Sequence, residues 1–162
     1  MYSSRGFTLI ETLLYMALSV TGLAVLTSVL ISSLNTRSLI YAQQRLVENQ
    51  QLNELTLLKR LGEATTITTP ASGSASQLVI NSPTIAESPV TFQVTNSVLT
   101  MKLGSASPIA LTSTDVRVTG FTVTRLSGSP PSMSIDITYA ADTASGATPT
   151  ATTSFTYTLR YE

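Results

Sequence analysis

Few side chains in this sequence could carry out nucleophilic, acid–base or metal chemistry. The chain contains no histidine and no cysteine, which excludes thiolate nucleophiles, histidine bases and the usual zinc ligand sets. The acidic residues that follow the N-terminal helical stretch are scattered along Thr-rich segments: Glu87, Asp115, Asp136, Asp142 and Glu162. We interpret them as solvated surface carboxylates, and we predict no catalytic residue, no metal site, no cofactor and no enzymatic activity.

Two weaker patterns leave alternatives open. Asp136 and Asp142 could join loop carbonyls around a calcium ion, although the dense Asp/Asn spacing of a calcium loop is missing. Tyr139, Tyr157 and Tyr161 could stack on single-stranded nucleic acid, but their strand-like spacing favours a place in the core. The formal net charge is zero, so no basic surface for nucleic acid is indicated.

Glu11 is the acidic residue whose position requires an explanation. It interrupts the apolar run from Phe7 to Leu34, and residues 12–36 carry no charge. A helix of that run would be roughly 42 Å long, enough to cross a hydrocarbon core of about 30 Å. A carboxylate within the bilayer costs about 2.5–3.5 kcal/mol on insertion scales, so Glu11 requires a partner.

Cleavage after Gly6 would supply that partner. Phe7 would then carry a free α-amine, and Glu11, four residues on, would lie on the same helix face. The carboxylate would also meet the positive end of the helix dipole. Between neighbouring chains the same pair would form a lateral bond in a bundle of helices, because a separated chain would keep an unpaired buried charge.

Two simpler interpretations explain less of the sequence. A secretory signal peptide could end near Ala17-Leu18-Ser19, but the apolar run continues well beyond this site and contains Glu11. A plain single-pass anchor accounts for the length of the run and leaves Glu11 unexplained.

The stretch RGFTLIE, residues 5–11, resembles the prepilin-type cleavage and methylation signal of type IV pilin-like proteins. The resemblance implies a leader of residues 1–6, cleavage between Gly6 and Phe7 by a membrane prepilin peptidase, and N-methylation of Phe7. It further implies that residues 7–36 form a transmembrane helix that becomes the filament core, where Glu11 faces the amine of a neighbouring subunit.

Residues 37–66 are predicted to continue the helix in amphipathic form. No proline occurs before Pro70, so the helix can run unbroken to about Ala64, and its leucines recur at helical spacing: Leu39, Leu46, Leu52, Leu55, Leu58 and Leu61. We expect this stripe to pack against the C-terminal domain. A coiled-coil partner is the alternative, but the charges do not alternate as they do in coiled coils.

Residues 67–162 are predicted to form a β-rich globular domain. Short alternating runs such as MSIDITY and FTYTLRY favour an antiparallel sheet covered on one side by the helix. Asn96-Ser97 predicts a tight hairpin, and a slip in the alternation at Gly120 predicts a β-bulge. The fold class expected is therefore α+β, a long N-terminal helix packed on a C-terminal antiparallel sheet as in pilins.

The phrases LKRLGEATTI and PIALTSTDVRVTGFTVT resemble the J-type pseudopilins of type II secretion and the W-type minor pilins. The combined resemblance implies a minor pilin or pseudopilin, held in the inner membrane with its C-terminal domain outside the cytoplasm and then assembled into a filament. Expected partners are other pilin or pseudopilin subunits, the prepilin peptidase, the inner-membrane assembly platform and membrane lipid, with nucleic acid only in a DNA-uptake filament. The alternative is a membrane-tethered binding module, an adhesin or DNA-uptake receptor.

Overall fold

The computed structural model describes residues 8–128, 132–143 and 146–158. The chain divides into two compact units, one ending at Ser38 and the other beginning at Leu39. The elements, in chain order, are helix α1 (Leu9–Gly62), strands β1 (Thr66–Thr69), β2 (Ser74–Ala75) and β3 (Gln77–Asn81), a 3₁₀ turn (Ile85–Glu87), and strands β4 (Val90–Thr95), β5 (Val98–Leu103), β6 (Ile109–Ala110), β7 (Val116–Leu126), β8 (Ser132–Ala141) and β9 (Thr150–Thr158).

The prediction of one long N-terminal helix on an antiparallel β-domain, an α+β fold, is confirmed. The helix ends at Gly62, a few residues before the predicted limit, and Lys59 and Arg60 lie in its last turn, where cations favour the helix dipole. The β-branched run that follows forms β1 from Thr66 onward instead of extending the helix.

Within the second unit, the buried face of α1 differs from the predicted leucine stripe. Leu46 and Leu61 are buried as expected, but Leu52 and Leu55 are 55% and 65% exposed. The buried positions are Ala42, Leu46, Asn49, Asn53, Leu57 and Leu61, which recur at steps of three or four residues and so share one helix face. The prediction that Leu52 and Leu55 pack inward was wrong because two asparagines occupy the positions that face the sheets.

The described strands form two sheets, whereas the alternating runs in the sequence predict one. A five-stranded sheet has the order β1-β3-β4-β5-β6, and a four-stranded sheet has the order β2-β7-β8-β9. All strand pairs are antiparallel. The short strands β1, β2 and β6 lie at sheet edges, and β2 and β6 have only two residues each, too few to produce an alternating pattern in the sequence.

Both local irregularities predicted from the sequence are confirmed. Asn96 and Ser97 have φ values of 52° and 63°, and they join β4 to β5 as a two-residue hairpin in which Thr95 pairs with Val98. The register between β7 and β8 shifts between Val118 and Gly120, as a β-bulge requires.

The central strands of the four-stranded sheet supply much of the core. Met133, Ile135, Ile137 and Tyr139 of β8 are almost completely buried on one face, as predicted. Strand β9 begins at Thr150, five residues earlier than the predicted run FTYTLRY. Phe155 and Tyr157 pack at the border of the core, and the predicted positions of Leu159 and Tyr161 lie outside the described residues.

Candidate functional site on the N-terminal helix

The first stretch of α1 exposes every large apolar side chain it carries. From Leu9 to Leu34 the exposed fractions of these side chains range from 52% at Tyr15 to 80% at Leu9. The residues concerned are Leu9, Ile10, Leu13, Leu14, Tyr15, Met16, Leu18, Val20, Leu23, Val25, Leu26, Val29, Leu30, Ile31 and Leu34. They surround the helix instead of forming one stripe, and a helix that is apolar all round is normally buried in a membrane or among other helices.

Several hydroxyl groups between residues 9 and 38 donate hydrogen bonds to carbonyl oxygens of the helix itself. Thr21 Oγ1 donates to the carbonyl oxygen of Ala17 at 3.0 Å, and Thr27 Oγ1 donates to that of Leu23 at 2.8 Å. Thr12, Ser28, Thr36 and Ser38 make equivalent bonds to carbonyls three or four residues earlier. These side chains therefore need no external partner, and they add little to the cost of apolar surroundings.

Among the described residues, one helix is long and apolar enough to cross a membrane, and it is α1. Its most apolar 18-residue window has a mean hydropathy of 2.0, and none of that window is buried by the rest of the chain. A single apolar helix near the N-terminus is compatible with a membrane anchor.

Glu11 lies in the first turn of α1 and is exposed. Its backbone N–H donates to the carbonyl oxygen of Thr8 at 3.0 Å. A carboxylate in the first turn is favoured by the positive end of the helix dipole. The other two predicted site residues, Gly6 and Phe7, lie outside the described residues, so the predicted pairing of Glu11 with the Phe7 amine stays a prediction.

The second stretch of α1 forms a polar contact with the β-domain that was not predicted from the sequence. Asn53 Nδ2 donates to the hydroxyl oxygen of Tyr139 at 3.2 Å, and both residues are fully buried. Burial raises the pKa of Tyr139 to about 12; the hydrogen bond from Asn53 lowers it and the charge of Glu54 raises it further. The available signal was the spacing of the two asparagines: Asn49 follows Leu46 by three residues, and Asn53 lies four residues after Asn49 and four before Leu57.

Asn49 forms a second polar contact, with the segment that precedes β7. Its Oδ1 accepts from the backbone N–H of Ser113 at 2.9 Å, and its Nδ2 donates to the Ser113 hydroxyl at 3.1 Å. Arg45 forms an ion pair with Asp115 beside it. A cavity of about 410 Å³ opens here, but its polar lining groups named above already bond to one another. We therefore assign this cluster to helix docking.

The other candidate residues from the sequence lie apart. Asp136 accepts a hydrogen bond from the Ser154 hydroxyl, whereas Asp142 Oδ1 accepts from Arg117 Nη2 at 2.6 Å. Within the described part of the chain, no group of three or more acidic side chains is placed to hold a metal ion. Tyr139 is a core residue, Tyr157 is half-buried, and Tyr161 falls outside the described residues.

Comparisons of this chain with protein-family models, with curated proteins and with solved structures found no match.

Proposed function

We propose that this protein is a structural subunit of a helical filament of the type IV pilus or secretion pseudopilus kind. One observation carries the proposal: α1 is apolar on all sides between Leu9 and Leu34 and has a single acidic residue, Glu11, in its first turn. That surface fits a bilayer before assembly and a bundle of identical helices afterwards.

Glu11 supplies the element of specificity in this proposal. An apolar helix alone would pack against neighbours in many registers, whereas a carboxylate in apolar surroundings is stable only where a cation or several donors meet it. The sequence RGF before the helix offers the donor, because cleavage between Gly6 and Phe7 by a prepilin peptidase would expose an α-amine. Pairing of Glu11 with the Phe7 amine of an adjacent subunit would fix the axial register of two helices.

The β-domain has a different role in this proposal. The two-sheet unit would remain outside the cytoplasm, attached to an inner-membrane helix until the assembly platform draws the subunit into the filament. The pattern shared with J-type pseudopilins and W-type minor pilins favours a minor subunit that primes or caps a filament. The apolar helix and Glu11 support assembly itself, whichever filament is formed.

The N-terminal peptide of the protein from membranes tests the processing step. Mass spectrometry should detect a peptide that begins at Phe7 with one methyl group on its amine. A mature chain that retains residues 1–6, or that begins elsewhere, would contradict the proposal, because Glu11 would then lack its amine partner.

Glu11→Gln tests the assembly step in cells that carry the filament machinery. The variant keeps the size of the side chain and removes its charge, so we expect normal membrane insertion and loss of most filament incorporation. Glu48→Gln is the matched control: it removes an acidic charge from the same helix beyond the apolar stretch and should incorporate normally. Normal incorporation of Glu11→Gln, measured by immunoblotting of sheared filaments, would refute the assembly role.

A further inference from the structure

Strand β9 (Thr150–Thr158) has an open edge of unusual length for this protein. It is the last strand of the four-stranded sheet and pairs with β8 over nine residues without a register shift. The other described edge strands, β1, β2 and β6, contain four, two and two residues. Short edges offer few free backbone groups, whereas a nine-residue edge offers a template for a further strand.

The outer edge of β9 lacks a backbone partner among the described residues. Outside the ladder with β8, no backbone hydrogen bond joins residues 150–158 to another residue that the structure describes. An edge strand presents alternate N–H and C=O groups outward, and exposed edges are normally blunted by charges, prolines or bulges. The β9 sequence TATTSFTYT contains no charged residue and no proline, and its ladder contains no bulge.

The exposed side chains of β9 are arranged symmetrically about Ser154. The exposed face carries only hydroxyl side chains, at Thr150, Thr152, Ser154, Thr156 and Thr158. The other face, which points toward α1, includes Thr153, whose Oγ1 accepts from Gln50 Nε2 at 2.8 Å. If a second β9 lay antiparallel with its Ser154 opposite this one, every exposed hydroxyl would face another hydroxyl.

We propose that β9 is a docking edge for a second copy of this chain, paired antiparallel about Ser154. Thr152 then lies opposite Thr156 of the second copy, and Thr150 lies opposite Thr158. The same kind of pairing already exists inside the sheet, where Ser132 and Thr158 hydroxyls lie 3.0 Å apart and Thr138 and Thr152 hydroxyls lie 3.3 Å apart. Cross-strand hydroxyl pairs of this type stabilise a sheet.

The absence of charge on β9 favours self-pairing over a charged partner. A strand with net charge would place like charges opposite one another in such a dimer, and that arrangement is destabilising. The contact is also isologous, since each copy uses the same surface, and it therefore closes after two copies. It is thus distinct from a head-to-tail contact between successive filament subunits and does not depend on the function proposed above.

Cysteine cross-linking of the full chain in detergent tests the register, since the natural sequence has no cysteine. Directly opposite residues in an antiparallel pair have Cα atoms about 4.5–5.5 Å apart, within the range that a disulfide spans. Ser154→Cys should therefore form disulfide-linked dimers under mild oxidation. Thr152→Cys and Thr156→Cys are matched controls, because each would lie roughly 13 Å from its own equivalent.

The controls also provide a positive test. Thr152→Cys mixed with Thr156→Cys should cross-link about tenfold more than either variant alone, because only the mixture places two thiols opposite each other. Equal cross-linking at all three positions would indicate parallel pairing or contacts made by the apolar helices. That result, or the absence of dimers with Ser154→Cys, would overturn the proposal.

Charge variants in the Ser154→Cys background give an independent measurement. Thr152→Lys combined with Thr156→Lys places lysine opposite lysine in the dimer and should abolish the cross-link. Thr152→Lys combined with Thr156→Glu places opposite charges together and should retain it. Both double variants change only exposed side chains. If the Lys/Lys variant and the Lys/Glu variant cross-link equally, β9 does not pair in this register.

Discussion

Residues 9–38 and residues 39–62 belong to one helix, yet only the second stretch buries side chains within the described chain. The first stretch exposes leucines, isoleucines and valines on every side, whereas the second buries Asn49 and Asn53 and leaves Leu52 and Leu55 in solvent. Apolar character alone therefore does not mark the core of this protein. What decides burial is the face that the β-domain covers, and two asparagines lie on that face because each finds a hydrogen-bond partner there.

The largest effect should come from removing a leucine that the second stretch buries. Leu57→Ala removes a fully buried side chain and should lower the free energy of unfolding by about 2–5 kcal/mol. Leu55→Ala, two residues away and 65% exposed, should change it by less than about 0.5 kcal/mol. Denaturant unfolding of the full chain in detergent, followed by near-ultraviolet circular dichroism, measures both values. Equal effects would contradict the helix face assigned here.

A charge in the first stretch should disturb membrane insertion, whereas one in the second should not. Val25→Arg places a cation near the middle of the apolar run and should disfavour insertion by about 2.5–3.5 kcal/mol. Val47→Arg, at a position 49% exposed in the second stretch, should insert like the parent chain. The fraction of each protein that resists carbonate extraction from membranes compares the two. Full resistance of Val25→Arg would show that residues 9–34 do not cross the bilayer.

The buried asparagine on the second stretch should contribute through its hydrogen bond. Asn53→Ala leaves the Tyr139 hydroxyl without the Asn53 donor inside the core, which should cost about 1–3 kcal/mol of unfolding free energy. In the Tyr139→Phe background the same substitution should cost about 1 kcal/mol less, because the hydroxyl that lost its donor is absent. Strictly additive losses in this double-mutant cycle would mean that the contact contributes no coupling energy.

Alkaline pH should weaken the second unit through Tyr139. The folded-state pKa of about 12 exceeds the ordinary tyrosine value of 10.0, so the unfolded chain releases this proton at lower pH than the folded chain. The contribution of neutral Tyr139 to the free energy of unfolding is fully present below pH 10 and is lost as pH rises toward 12. The loss between pH 10 and pH 11 should be about 1 kcal/mol. In Tyr139→Phe, the free energy of unfolding should not show this part of the decrease with pH. Identical pH profiles for the variant and the parent would exclude Tyr139 as the source.

Much of the fold followed from local patterns in the sequence. The uninterrupted helix needed only the absence of proline, the hairpin needed Asn96-Ser97, and the bulge appeared as a slip of alternation at Gly120. The division into two sheets did not follow from the sequence. Alternation within a strand shows which of its faces is buried, but it does not show which other strand pairs with it unless a short turn joins the two. The two-residue strands β2 and β6 are too short for any period to show.

The candidate site was predictable to a different extent in its two parts. The position of Glu11 in the first helical turn follows from its place at the start of an apolar run, and the structure agrees. The inward positions of Asn49 and Asn53 did not follow, since an asparagine on a helix is normally exposed, and the hydrogen-bond partners Ser113 and Tyr139 lie 64 and 86 residues away in the sequence. Contacts over such separations depend on the completed fold.

The hydroxyl groups that bond within the apolar stretch affect how easily this part of the helix can move from lipid into contact with another protein. Thr21, Thr27 and Ser28 donate to carbonyls of their own helix, so these hydrogen bonds move with the segment. Leaving hydrocarbon for the side of another protein would break none of these bonds and would create no demand for new ones. If the proposed filament forms, the transfer from lipid to protein surroundings would therefore depend on close packing and on the Glu11 carboxylate at the amino end.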